Sequence, residues 1–207
     1  MTHTLHRRGT EESLRDDYIV FAMAAKGVNR DGAAPKLRRF LETALKYQPV
    51  NAGDMRTGNL FSAGAQAILD GLADNSIVHA VFTAPEPVAA LLDELRRLDL
   101  GLSVVVSGLM DQTARCLHDA GLRPHTVEFS LGIHGQTALL PDDNTLAIAT
   151  MCGHGMVSHA LITYWTDRVR RGLATPAQAA QELVRLCHCG VMNPVRVQQL
   201  LEATARS

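Results

Sequence analysis

The chain has 207 residues, a formal net charge of −1 at pH 7 and 20% charged residues. It lacks the basic excess of a nucleic-acid-binding protein, and no apolar run is long enough to cross a membrane. Its N-terminal charges are not followed by an apolar stretch, so we expect no secretory signal and a cytoplasmic protein. The four cysteines are then expected to be free, metal-bound or catalytic rather than paired in disulfides.

The first part of the chain alternates strand-like and helix-like patterns. Short apolar runs with β-branched residues predict buried strands, and apolar residues that recur every three or four positions predict helices. Residues 48–60 are rich in Asn, Gly and Asp, which predicts a loop. The predicted strands are 18–24, 77–83 and 102–107, and the predicted helices are 35–47, 63–72, 85–99 and 109–120.

The second part of the chain begins with strands and ends with helices. Predicted strands over 126–133 and 146–150 are joined by a polar, turn-rich link, which favours antiparallel pairing of the two. The predicted helices are 155–171, one that starts at a capping box of Thr175 and Gln178, and one that follows Asn193-Pro194.

The order of these elements predicts the fold class. Strands that alternate with helices are typical of parallel sheets with right-handed crossover connections. We therefore predict a single α/β domain over 1–207, with a mixed, largely parallel central sheet flanked by helices. Residues 155–207 are predicted to form a helical C-terminal subregion.

The segment Met151-Cys152-Gly153-His154-Gly155 lies between a predicted strand and a predicted helix. Ligands of α/β proteins bind at such turns, and the N-terminus of a helix lowers the pKa of a nearby thiol. Cys152 is therefore a candidate nucleophile, base or metal ligand. His154 is a candidate acid/base or a further ligand.

A second cysteine segment, Leu186-Cys187-His188-Cys189-Gly190, follows the second C-terminal helix. Two cysteines one residue apart do not form a disulfide without strain, so they are better placed to bind a shared metal. With Cys152 they provide three thiolates for an iron–sulfur cluster, or for zinc with His154 as fourth ligand. An open metal position suits a lyase or hydrolase that acts on a small carboxylate.

The segment 151–155 resembles the one that holds a catalytic cysteine in proline racemases and hydroxyproline epimerases. In those enzymes, two cysteines on opposite faces of the substrate exchange its α-proton. The resemblance implies that Cys152 is an acid/base thiol with His154 beside it. A metal-free enzyme that uses Cys152 for proton transfer or covalent catalysis is the alternative to a metalloprotein. A non-catalytic partner subunit with structural thiols is the third possibility.

Three further residues are predicted to bind the small-molecule substrate. Lys26 directly follows the first predicted strand, and Glu128 and His134 share one face of the predicted strand 126–133 and its exit. Cys116 lies within a predicted helix and is interpreted as a core residue. The apolar stripes of the C-terminal helices leave homo-oligomerisation open.

Overall fold

The structure is a computed structural model that describes residues 6–206. Residues 1–5 lie outside the described residues. They include the start of the segment from which we predict no secretory signal. Within 6–206, no helix is both long enough and apolar enough to cross a membrane.

The centre of the fold is a five-stranded sheet with the strand order β3-β2-β4-β1-β5. Each neighbouring pair runs antiparallel, and the register of β1 with β4 places Tyr18 opposite Phe82. The strands are β1 (Tyr18–Met23), β2 (Asn51–Asp54), β3 (Gly58–Asn59), β4 (Ile77–Phe82) and β5 (Ser103–Ser107).

Helices surround this sheet, and a short 3-10 turn covers Thr137–Leu139. The predicted capping box is confirmed, because Thr175 and Gln178 exchange side-chain to backbone hydrogen bonds. The helices are α1 (Glu11–Leu14), α2 (Ala34–Lys46), α3 (Ala65–Gly71), α4 (Pro85–Leu98), α5 (Met110–Asp119), α6 (Asp143–Ala149), α7 (His159–Arg170), α8 (Pro176–Arg185) and α9 (Pro194–Arg206).

The prediction of a largely parallel sheet is wrong, because all strand pairs in the described residues are antiparallel. The connection β4–α4–β5 does join two strands of the same direction, as a crossover requires. However, β1 lies between them and runs in the opposite direction. The order of elements along a chain predicts the direction of consecutive strands, but it does not predict which strand separates them.

Local predictions also failed at specific places. Residues 146–150 belong largely to helix α6, because the Asp142 carboxylate accepts the N–H of Thr145 and caps that helix. The helix predicted from Gly155 begins instead at His159, after the Ser158 cap. Strands β2 and β3 lie inside the predicted loop 48–60. Short apolar runs fit a strand or a helix equally well, and polar strands give no apolar alternation to detect.

The predicted strand 126–133 has no regular secondary structure. Its apolar residues alternate as in a strand, but Val127, Phe129 and Leu131 are 54%, 67% and 80% exposed. An alternating sequence becomes a strand only when a neighbouring strand takes its backbone hydrogen bonds. In the described chain, this segment has no such neighbour.

The sheet separates two apolar cores, one on each face. Alternate residues of β1 point to opposite faces, so Val20 packs in the core under α2–α5 and Phe21 in the core under α6–α9. Cys116 is buried in the first core, as expected for a core residue. The other three cysteines belong to the second core.

Candidate metal centre

Two turns on the same face of the sheet bring three cysteines together. Cys152 follows the end of α6, whose C-cap is Thr150, and Cys187 and Cys189 follow the end of α8. All three side chains are fully buried, in the core under α6–α9. Their three sulfur atoms lie within 4.8 Å of one another, so these cysteines are close enough to bind a metal.

Two of the three sulfur separations are close to those of ligands around a single ion. The Sγ atoms of Cys187 and Cys189 are 3.5 Å apart, and those of Cys152 and Cys189 are 3.9 Å apart. A tetrahedral zinc with Zn–S bonds of about 2.3 Å requires S···S separations of about 3.8 Å. The described thiols therefore need little movement to accept such an ion.

His154 lies beside two of the three thiols. Its Nδ1 is 3.6 Å from the sulfur of Cys152 and 3.6 Å from that of Cys189. With a Zn–N bond of about 2.0–2.1 Å, tetrahedral geometry gives an S···N separation of about 3.6 Å. The three cysteine sulfurs all lie within 4.8 Å of one another, but His154 does not belong to that group. Because His154 is exposed, it is the member of the site that solvent can reach.

The expected position of Cys152 at a helix N-terminus is wrong, because α7 begins only at His159. Hydrogen bonds supply the stabilisation of the thiolate instead. The Cys187 and Cys189 thiols, and then the His154 backbone N–H, lower the pKa of Cys152 to about 2.

The two partner thiols shift in the opposite direction. The nearby Cys152 sulfur raises the pKa of Cys187 to about 12, and a hydrogen bond to the same sulfur raises that of Cys189. These shifts favour the thiolate form at Cys152 and the protonated form at Cys187 and Cys189.

Two buried asparagines of the sheet hold the second cysteine turn in place. Asn59 donates from Nδ2 to the backbone oxygens of Val184, at 2.9 Å, and Cys187, at 2.7 Å. Asn51 donates from Nδ2 to the oxygen of Met192 at 2.9 Å. Sequence reasoning missed these groups, because an asparagine in a polar segment is typical of an ordinary loop.

The cysteine turn also approaches β2 backbone to backbone. Gly190 has a φ of +73°, and a Cβ atom there would lie 2.4 Å from the carbonyl carbon of Ala52. A Cβ on Gly53 would lie 2.9 Å from the Cα of Gly190. Glycine at both positions therefore permits the contact that seats Cys187 and Cys189 against the sheet.

Replacement of Gly190 by alanine is expected to lower the free energy of unfolding by about 3 kcal/mol, because backbone strain and a steric clash add together. Gly172 is the matched control, since its φ is +66° and its Cβ would meet no atom within 4 Å. Gly172→Ala should cost only the strain, about 1–2 kcal/mol. Urea denaturation of both variants measures the difference, and equal losses would contradict the close approach.

A buried ion-pair network holds residues 191–196, which follow the two cysteines. The Asp17 carboxylate accepts hydrogen bonds from Arg7, from Arg196 at 2.8 Å and from Asn193 at 3.1 Å. Arg7 also donates to the backbone oxygen of Val191. The N-terminal segment is thereby tied to residues 191–196, directly after the two cysteines.

The three predicted substrate-binding residues lie at the surface. Lys26 is exposed in the turn after β1, and Glu128 and His134 are exposed in the irregular segment 126–134. The structure gives none of these described side chains a hydrogen bond or ion pair with Cys152. Their role in substrate binding stays a prediction.

Comparisons with known proteins give no relative from which a role can be transferred. Neither family models, curated proteins nor solved structures produced a match to this chain. The case for function therefore rests on the geometry of Cys152, His154, Cys187 and Cys189.

Proposed function

We propose that this protein binds one zinc ion through Cys152, Cys187 and Cys189, with His154 as an exchangeable fourth ligand. The observation that carries the proposal is the pair of S···S separations, 3.5 Å and 3.9 Å, in a fully buried set. Thiolate ligands in tetrahedral arrangement suit zinc.

An iron–sulfur cluster was the other metal expected from the sequence. In a [4Fe–4S] cluster each cysteine binds a different iron, and sulfide bridges hold these irons apart. The cysteine sulfurs are then farther apart than two ligands of one ion. The contact between Cys187 and Cys189, which share the same short turn, therefore supports a single ion over a [4Fe–4S] cluster.

The exposure of His154 bears on what such a site does. Three buried thiolates would hold the ion. The exposed ligand, His154, would dissociate and give its position to water or a substrate oxygen. A hydrolase or lyase acting on a small carboxylate would use that position. A purely structural site needs no exchangeable ligand.

Zinc affinity is expected to rise steeply with pH. The lowered pKa of Cys152 favours its thiolate, whereas the raised pKa values of Cys187 and Cys189 favour their protonated forms. Zinc binding must displace these two protons, so affinity should increase about 100-fold per pH unit between pH 6 and 8. Competition titrations with a chelator at three pH values test this, and a slope near zero would contradict it.

A metal-free cysteine enzyme is the second candidate. It is supported by the Cys152 thiolate, whose sulfur lies 3.6 Å from the Nδ1 of His154. The resemblance to proline racemases supports the same assignment, with Cys152 as an acid/base thiol. Cys189 would then serve as a hydrogen-bond donor to that thiolate, and Cys187 would contact Cys189.

Titration with Co²⁺ as a spectroscopic substitute for zinc separates the two candidates. The zinc proposal predicts intense thiolate-to-cobalt absorption that saturates at one ion per chain and is reversed by Zn²⁺. Bound zinc should also protect Cys152 from iodoacetamide. If no such absorption appears and Cys152 alkylates at the same rate with and without zinc, the metal-free enzyme is the better account.

A further inference from the structure

A cavity lies beside β5, the edge strand of the sheet. Its volume is about 580 Å³, within the range of about 300–1,000 Å³ typical of small-molecule sites. Among the described residues, no strand pairs with the outer edge of β5. The cavity follows that open edge.

The walls of the cavity are mostly apolar. Phe21 and Val105 line it from one face of the sheet, and Leu92, Leu95 and Leu117 line it from the helices α4 and α5 on the other. The 37% exposure of Val105 shows that this face of β5 is only partly covered. An apolar chain placed here would cover the exposed surface of Val105.

Two arginines, Arg96 and Arg123, line the cavity close to one turn. Arg96, Arg123 and His125 belong to the lining, against one carboxylate, that of Glu128. The guanidinium of Arg96 lies beside Gly121, near the turn that carries Arg123, and donates to Asp93 at 2.8 Å. Arg123 makes no ion pair within the described part of the chain, so its charge is available to a ligand.

We propose that this cavity binds an organic anion with an aliphatic body, such as a medium-chain carboxylate. The chain would cross the open edge of β5, between Val105 on one face of the sheet and Leu117 on the other, and the carboxylate would accept hydrogen bonds from Arg123. This site is separate from the cysteines, so the inference does not depend on the proposed zinc ion.

Calorimetric titration with octanoate and with octan-1-ol tests the site, because the two probes share a chain length and differ in charge. Octanoate is expected to bind the full chain more tightly than octanol. Arg123→Gln should weaken octanoate binding by at least about tenfold and leave octanol binding unchanged, because a hydrogen bond to a charged group is lost. Arg123 is exposed, so this variant is expected to fold normally.

Arg171→Gln is the matched control, since Arg171 pairs with Asp167 on α7 and does not line the cavity. It should bind octanoate as the unmodified protein does. Equal binding of the two probes, equal loss in both arginine variants, or no binding of octanoate would each overturn the proposal. Val105→Trp provides a second test, because the larger side chain should occupy the cavity and reduce binding of both probes.

Discussion

Replacing Cys189 with serine is expected to abolish stoichiometric zinc binding. Cys189 is the thiol that contacts each of its partners, at 3.5 Å from Cys187, 3.9 Å from Cys152 and 3.6 Å from the Nδ1 of His154. Loss of an outer-shell partner typically lowers metal affinity by about 10–100-fold. Loss of this central ligand should exceed that range. Competition with a chromophoric chelator measures the affinity.

Cys116→Ser is the control for the loss of a buried thiol. Cys116 lies in the core on the opposite face of the sheet, where its sulfur contacts the backbone oxygen of Pro85 at 3.6 Å. This variant is expected to be less stable but to keep full zinc content. If both cysteine variants lose zinc equally, the loss reflects destabilisation of the fold rather than of a site.

The second large effect concerns the ion-pair network that secures the cysteine turn. Asp17→Asn is expected to lower the free energy of unfolding by about 3–5 kcal/mol, because it leaves two buried arginines without their counter-charge. The side chains of Asp17, Arg7 and Arg196 are 0%, 6% and 1% exposed. For a chain of this length, the melting temperature should fall by roughly 10 °C.

The exposed pair of Arg15 and Glu11 provides the matched control, since both residues lie in the same N-terminal region and are 49% and 68% exposed. Glu11→Gln should change the free energy of unfolding by less than about 1 kcal/mol. Thermal and urea unfolding of the two variants compare buried with exposed charge directly. A small effect of Asp17→Asn would show that the network does not hold the N-terminal segment.

The thiol site was the part of the molecule most accessible to sequence analysis. Cysteines are rare in this chain. One cysteine close to His154, together with a Cys-x-Cys turn, indicated a shared metal site. The structure does bring Cys152, Cys187 and Cys189 together. The reasons given for Cys152 were less accurate, because partner thiols rather than a helix terminus favour its thiolate.

What sequence analysis missed depends on contacts between distant residues. Asp17 and Arg196 are 179 positions apart, and nothing in either local sequence marks a buried pair. Asn59 belongs to a two-residue strand that exists only because β2 is beside it. The parallel-sheet prediction failed for the same reason, because tertiary packing, not the local sequence, places β1 between β4 and β5.

The most direct test of the central claim uses protein purified without air. Its metal content, its acid-labile sulfide and its visible spectrum are measured. The account predicts one zinc per chain, no acid-labile sulfide, no visible absorption band, and loss of the zinc in Cys189→Ser but not in Cys116→Ser. Iron with acid-labile sulfide would contradict a single-ion site and establish a cluster. A chain that binds no metal while Cys152 alkylates rapidly at neutral pH would contradict the metal site altogether.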